Sequence, residues 1–162
     1  MIYITKPRIY LETTVYNYFF SESVDNVQDN IDTIELFKQI KQGNFDAFYS
    51  DVVIIEIDQC YEPKRSKMLN LIQEYELQKV SIDTGYEKLA ELFISEGAIP
   101  ERKRNDALHI AIATVNNLDI VVSWNCDHIV KFKTKKIINL INEANGFKRI
   151  ELLTPREVLE ID

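Results

Sequence analysis

Short apolar runs alternate with longer segments of helical periodicity along the chain, and this alternation constrains the fold most. The apolar runs predict β-strands at RIYLE (8–12), FDAFYS (45–50), LQKVSI (77–82), LDIVVSW (118–124) and KRIELL (148–153). Helical spacing is found between them, at 31–42, 64–76, 84–96, 105–117 and 134–144. Because strands separated by helices pair in parallel, we expect an α/β three-layer sandwich with a mainly parallel central sheet.

Local signals mark where some helices begin. TGYE (84–87) and TPRE (154–157) both place Thr three residues before Glu, the spacing of a capping box, and the second adds Pro at the first helical position. SDVVIIEID (50–58) has the β-branched residues of a strand, but it directly follows a predicted strand. We therefore expect a helix that begins near Asp51.

Composition indicates one globular domain over residues 1–162, since 46% of the residues are hydrophobic and 28% are charged. No apolar run approaches the roughly 20 residues that span a bilayer, and the first residues do not resemble a secretory signal. Cys60 and Cys126 stand in no metal-binding or redox spacing. We expect free thiols and a cytoplasmic protein that has no membrane association.

Charge is unevenly distributed. The net charge of −7 disfavours a protein whose whole surface binds nucleic acid, yet KFKTKK (131–136) and ERKR (101–104) are strongly basic. These two runs are either solvated helix ends or phosphate contacts, and the sequence leaves both readings open.

Acidic and amide side chains follow several of the predicted strands. Glu12 closes the first, Glu56 lies early in the helix after the second, Asp106 opens the helix at 105–117, and Asn125 and Asp127 follow LDIVVSW. In an open parallel sheet, the carboxyl ends of the strands share one edge, where ligands bind. The fold therefore predicts that these side chains lie close together.

Each of these residues also has a structural interpretation. Asp106, or its neighbour Asn105, fits the N-cap of a helix, and Glu12 fits an ordinary strand end. His109 lies one helical turn after Asp106, where it fits either a metal ligand or a hydrogen-bonded core residue.

Taken together, these acidic residues predict a cation-binding site. Two carboxylates about 4 Å apart repel by about 4 kcal/mol at an effective dielectric of about 20, so a cluster needs an ion or bound protons. Oxygen ligands suit Mg²⁺ or Mn²⁺, and no His/Cys set suits zinc. Such an ion assists phosphodiester hydrolysis by polarising the phosphoryl group and activating water.

Four segments together resemble the PIN-domain family of nucleases. They are YLETTVYNYFF, SDVVIIEI, RNDALHIAIA and DIVVSWNCDHI, in that order along the chain, and EPKRSKMLNLI (62–72) and TPREVL (154–159) resemble a bacterial branch of the family. The similarity extends over nearly the whole chain. It implies a Rossmann-like fold and a Mg²⁺- or Mn²⁺-dependent endoribonuclease that hydrolyses the phosphodiester bonds of RNA.

The same resemblance assigns roles to individual residues. Glu12, Glu56 and Asp106 match the acidic catalytic and metal-binding positions, and Thr14 matches the hydroxyl that supports the site. Asn125 matches the fourth metal-site position, where the family commonly has Asp, and Glu12 stands where Asp is usual. Many bacterial members are toxins of toxin–antitoxin pairs (VapC-type), so a small antitoxin protein and a homodimer are implied partners.

Two alternatives remain at this stage. Glu12 and Asn125 are compatible with a PIN-like module of weak or absent catalysis that binds RNA or a protein partner. A metal-dependent phosphatase on a similar scaffold is a weaker fit, because LETT offers no aspartyl nucleophile near the first strand.

Overall fold

A computed structural model describes residues 5–82 and 85–161 of the protein. Its strands are β1 (Arg8–Leu11), β2 (Asp46–Tyr49), β3 (Gln78–Lys79), β4 (Ile120–Val122) and β5 (Glu151–Leu153). They form one sheet of order β3-β2-β1-β4-β5, and every pair is parallel. The predicted α/β sandwich with a mainly parallel sheet is confirmed.

The helices are α1 (Thr13–Phe19), α2 (Val27–Lys41), α3 (Asp51–Asp58), α4 (Lys64–Glu74), α5 (Tyr86–Ser95), α6 (Arg104–Val115), α7 (Phe132–Ala144) and α8 (Pro155–Leu159). Right-handed crossovers place the helices that follow β1 and β2 on one face of the sheet and those that follow β3 and β4 on the other. In agreement, α5 packs with α6 and α7, whereas α2 packs with α1 and α8.

Two local predictions are confirmed and one lies outside the described residues. α3 begins at Asp51, after an N-cap at Ser50 whose hydroxyl accepts from the Val52 amide. Thr154 and Glu157 form a complete capping box at the start of α8. The proposed box at TGYE includes residue 84, which is not described.

Helix α1 was not predicted, because its residues are β-branched and aromatic and resemble a strand. Its N-cap is Glu12, whose side chain accepts from the Thr14 amide. The VYNYFF cluster (15–20) begins in the core, since Val15 and Tyr16 are fully buried. Phe19 packs against Phe37, with the ring centroids 5.1 Å apart.

β1 is the central strand and its residues Ile9, Tyr10 and Leu11 are fully buried. The chain runs outward from β1 through β2 to β3, and then returns to place β4 on the other side of β1. The strand order therefore reverses between β1 and β4, which opens a crevice at their carboxyl ends. Over residues 5–82 and 85–161, no helix is both long and apolar enough to cross a lipid bilayer.

Candidate functional site

A cavity of about 400 Å³ opens at the carboxyl edge of the sheet, beside the ends of β1 and β4. All five site residues expected from the sequence line it: Glu12, Thr14, Glu56, Asp106 and Asn125. The prediction that strand ends and helix starts bring them together agrees with this geometry. We call this space the acidic cavity.

Glu12 forms the inner wall of the acidic cavity and is 3% exposed. Its Oε1 accepts hydrogen bonds from the hydroxyls of Thr14 and Ser123, both at 2.6 Å. Its Oε2 accepts from the Thr14 amide at 3.1 Å. The side chain is therefore held by three donors, which fix its orientation and compensate for its burial.

The two hydroxyls that hold Glu12 also connect it to the segment after β4. Thr14 Oγ1 accepts from the Trp124 amide at 2.9 Å, and Ser123 Oγ accepts from the Asn125 amide at 2.9 Å. Thr14 thus lies where a supporting residue is expected. Ser123 was not singled out from the sequence, although its place at the end of a buried strand, next to Trp124, marks it as a site position.

Glu56 projects from α3 and is hydrogen-bonded on one oxygen. Its Oε1 accepts from the Thr13 hydroxyl at 2.7 Å and contacts His109 Nε2 at 2.5 Å. Burial raises the pKa of the Glu56 carboxyl, but the hydrogen bond and charge of His109, with the Thr13 hydroxyl, outweigh it and leave the pKa lowered. Glu56 is thus favoured as a carboxylate.

His109 is a fully buried member of a hydrogen-bond chain behind Glu56. Its Nδ1 lies 2.6 Å from the Tyr10 hydroxyl, which lies 2.7 Å from the Ser50 hydroxyl. When the imidazole is neutral, Nε2 donates to the carboxylate and Nδ1 accepts from Tyr10. Both ring nitrogens are therefore engaged, so the structure supports the hydrogen-bonded core reading of His109 and places that residue directly behind the site.

Asp106 lies in the first turn of α6, but neither it nor Asn105 is the N-cap. That position belongs to Lys103, which makes no capping bond through its side chain. The cap interpretation of Asp106 and Asn105 is therefore wrong, because α6 begins one residue earlier than predicted. Burial, followed by repulsion from Glu12, raises the pKa of the Asp106 carboxyl to about 6.

Asn125 lines the acidic cavity next to Asp106. Its Nδ2 donates to Asp106 Oδ2 at 3.2 Å, and its Oδ1 accepts from the His128 amide at 3.0 Å. Asp127 is exposed and does not line this cavity. Of the two residues considered for the fourth position, the structure places Asn125 in the cavity and Asp127 outside it.

The donor set of the acidic cavity fits a hard divalent cation. Ligand atoms of Glu12, Glu56 and His109 lie within 4.8 Å of one another. His109 uses its Nε2 on Glu56, whereas Asp106 Oδ1 accepts no hydrogen bond from any other described residue. Carboxylate oxygens with free lone pairs are the ligands that Mg²⁺ and Mn²⁺ prefer.

Comparison with known proteins adds nothing to this geometry. A scan against protein-family models gives no match to the sequence, and a search of curated proteins gives no significant match. The resemblance to PIN-domain nucleases therefore stays a prediction from the residues quoted above.

Proposed function

We propose that the protein is a divalent-metal-dependent endoribonuclease of the PIN type, the toxin of a type II toxin–antitoxin pair. The observation that carries the proposal is the convergence of Glu12, Glu56 and Asp106 on one cavity at the crevice of a parallel sheet. Capping of α1 accounts for one contact of Glu12, and His109 accounts for one contact of Glu56, but neither explains why Asp106 lines the same cavity. In agreement, the Asp106 carboxyl has a raised pKa, partly through repulsion by Glu12.

In this proposal Glu12, Glu56 and Asp106 hold Mg²⁺ or Mn²⁺, with Asn125 as a neutral fourth ligand. The ion would supply charge stabilisation of the phosphoryl group and activation of water. Thr14 and Ser123 fix the direction of Glu12, and His109 fixes that of Glu56. These hydrogen bonds pre-orient the ligands, which lowers the cost of assembling the site.

The direct test is cleavage of single-stranded RNA in the presence of Mg²⁺ or Mn²⁺, with Asp106→Asn as the variant. We expect cleavage by the wild type, loss of cleavage on adding a chelator, and at least about a 100-fold lower rate for the variant. Asp25→Asn is the matched control, because Asp25 is an exposed acid outside the cavity. Equal rates for Asp106→Asn and wild type would contradict the proposal.

The second candidate is a PIN-like module that binds RNA or a protein partner with little catalysis. The observation that favours it is Asn125, which faces Asp106 with an amide and removes one negative charge from the cavity. Titration calorimetry separates the two candidates. If neither Mg²⁺ nor Mn²⁺ binds at millimolar concentration, the binding module replaces the enzyme.

A protein partner has a separate supporting observation. Val24, Val27, Ile31 and Ile34 recur at intervals of three and four residues, and they are 87%, 55%, 51% and 42% exposed, respectively. Val27, Ile31 and Ile34 lie on one face of α2, and Val24 lies in the turn directly before this helix. An exposed apolar face of this kind is typical of a surface that packs against another protein.

Charge favours a small partner protein over a second copy at this face. Glu22, Asp25 and Glu35 lie close to these apolar residues in the sequence. In a two-fold dimer the face would meet itself and bring these acids together, whereas an antitoxin with basic residues around an apolar helix would be complementary. Ile31→Lys should abolish co-purification with the product of a small reading frame adjoining the gene. Unchanged co-purification would remove this surface from the proposal.

A further inference from the structure

A second cavity, of about 420 Å³, is bordered by cationic side chains from two separate segments. Arg102 comes from the turn before α6, and Lys131 and Lys133 come from the start of α7. His128 also lines this cavity. We call these four residues and the space between them the basic groove.

The cations of the basic groove form no ion pairs within the part of the chain that the structure describes, since none of its ion pairs includes Arg102, Lys131 or Lys133. Two acids also line the groove: the Glu101 carboxylate binds Arg104, and Asp127 is in none of these ion pairs. Three cations and one acid outside any ion pair leave the groove with a net positive charge, which a polyanion would neutralise favourably.

An aromatic side chain lies between two of these cations in the sequence. Phe132 is 81% exposed and is flanked by Lys131 and Lys133, but it does not itself line the groove. A ring this exposed is available for stacking. Single-stranded nucleic acids are bound by this combination, in which cations contact phosphates and aromatic rings stack on unpaired bases.

The basic groove adjoins the acidic cavity through two connections. The loop that carries Asn125, a residue of the acidic cavity, continues to His128 in the groove, and the two are joined by a 3.0 Å hydrogen bond. Arg102 lies four residues before Asp106, at the start of the same helical region. The two cavities therefore adjoin at the loop 125–128.

We propose that the basic groove binds the backbone of a single-stranded RNA next to the scissile phosphate, with Arg102, Lys131 and Lys133 on phosphates and Phe132 stacked on a base. The inference rests on the proposed function, because the bound RNA would have to pass Asn125 for its scissile phosphate to lie in the acidic cavity. It assigns to KFKTKK and ERKR the phosphate-contacting role that the sequence left open.

An acidic protein segment is the competing occupant, and the position of Phe132 argues against it. Carboxylates of a peptide would neutralise the cations but would leave the exposed ring between them without a partner. A nucleotide chain presents a phosphate and a planar base at every step, and so satisfies both features.

The test measures binding rather than cleavage. A labelled single-stranded RNA of mixed sequence is titrated in the presence of EDTA, with fluorescence anisotropy as the readout, at several salt concentrations. Arg102→Gln/Lys131→Gln should weaken binding at least about tenfold and reduce the slope of log K against log salt by about 1.4, because two phosphate contacts are lost. Lys38→Gln/Lys88→Gln is the control of equal charge change, on exposed helix positions away from the groove.

Phe132→Ala tests the stacking contact separately. Binding of single-stranded RNA should fall about fivefold or more, whereas binding of duplex RNA, whose bases are already stacked, should not change. Equal losses for the groove and control pairs would overturn the proposal. It would also be overturned if polyglutamate of the same charge competed as well as RNA, or if Phe132→Ala had equal effects on both RNAs.

The two proposals fail in different ways. If the groove variants lose binding but the wild type cleaves no RNA with Mg²⁺ or Mn²⁺, the nuclease function fails and the groove stands. If the wild type cleaves RNA and the groove variants bind and cleave as it does, the groove fails and the nuclease function stands.

Discussion

The acidic cavity and the basic groove are neighbours that are built in opposite ways. In the acidic cavity, the carboxylate oxygens of Glu12 and Glu56 lie 2.5–3.1 Å from buried or half-buried hydrogen-bonding groups. In the basic groove, Arg102, Lys131 and Lys133 are exposed and have no ion-pair partners among the described residues. The first is therefore organised by the fold, and the second acts mainly through its charge.

This difference has a physical consequence for how each surface responds to change. Removing the hydrogen-bond partner of a buried polar group lowers the free energy of unfolding by about 1–3 kcal/mol. Substitutions in the acidic cavity should therefore change stability as well as function. Exposed charges contribute little to stability but are screened by salt. The four predictions below test this contrast, from the largest expected effect to the smallest.

Glu12→Gln should have the largest effect on the acidic cavity. It keeps the size of the side chain but removes the charge, and the amide nitrogen replaces one of the two oxygens that accept hydrogen bonds from Thr14 and Ser123. We expect metal-dependent cleavage to fall more than about 100-fold. We expect Mg²⁺ at 100 times its Kd to raise the melting temperature of the wild type by about 5–10 °C, and this increase should be lost in the variant. Glu22→Gln, at an exposed position, is the control, and an equal response to Mg²⁺ in the two variants would contradict the metal assignment.

The metal-free protein should lose stability as the pH rises through the pKa of Asp106. The folded-state pKa is about 6, whereas the ordinary value is 3.8. The folded state therefore holds this proton more tightly, and the resulting stability, present below pH 4, is lost by pH 6 and amounts to at most about 3 kcal/mol. Urea unfolding of wild type and Asp106→Asn in EDTA measures the difference.

In that experiment Asp106→Asn should gain stability relative to wild type between pH 4 and pH 7, because its amide carries no charge at either pH. Asp25→Asn serves as the control for removal of an exposed acid. Parallel pH profiles for wild type and Asp106→Asn would show that the folded state does not perturb this carboxyl.

Ser123→Ala should destabilise the protein by about 1–3 kcal/mol. The hydroxyl is fully buried, donates to Glu12 at 2.6 Å and accepts from the Asn125 amide at 2.9 Å. Its removal takes away one of the three donors to the buried Glu12 carboxylate and the acceptor of the Asn125 amide. Ser66→Ala, at an exposed position of α4, is the control. Unfolding by urea measures both, and a loss no larger than that of the control would place Ser123 outside the hydrogen-bond framework.

Lys131→Gln/Lys133→Gln should leave the free energy of unfolding within about 0.5 kcal/mol of wild type, the smallest of the four effects. Neither lysine has an ion-pair partner among the described residues, so no folded-state contact is lost. The measurement is the same urea titration. A loss above 1 kcal/mol would mean that the groove is part of the folding framework, and the contrast between the two cavities would disappear.

Local pattern alone was enough to predict the sheet and most helices. Short apolar runs indicate the strands, period-3.6 spacing indicates which helix faces are buried, and the capping residues of TPRE mark the start of α8 correctly. The helix α1 was missed, because TTVYNYF has the composition of a strand and its helical state depends on the Glu12 cap and on packing of Val15 and Tyr16 in the core. Tertiary burial overrides weak propensity there.

The sequence by itself determined that Glu12, Glu56, Asp106 and Asn125 meet, since parallel strands send their carboxyl ends to one edge. Only the tertiary structure decided how they are held. Partners distant in sequence, such as Ser123 for Glu12 and His109 for Glu56, are recognised only when β1, β4, α3 and α6 are packed together. The same packing joins two basic runs into one groove, because proximity in space is a property of the fold and not of the local pattern.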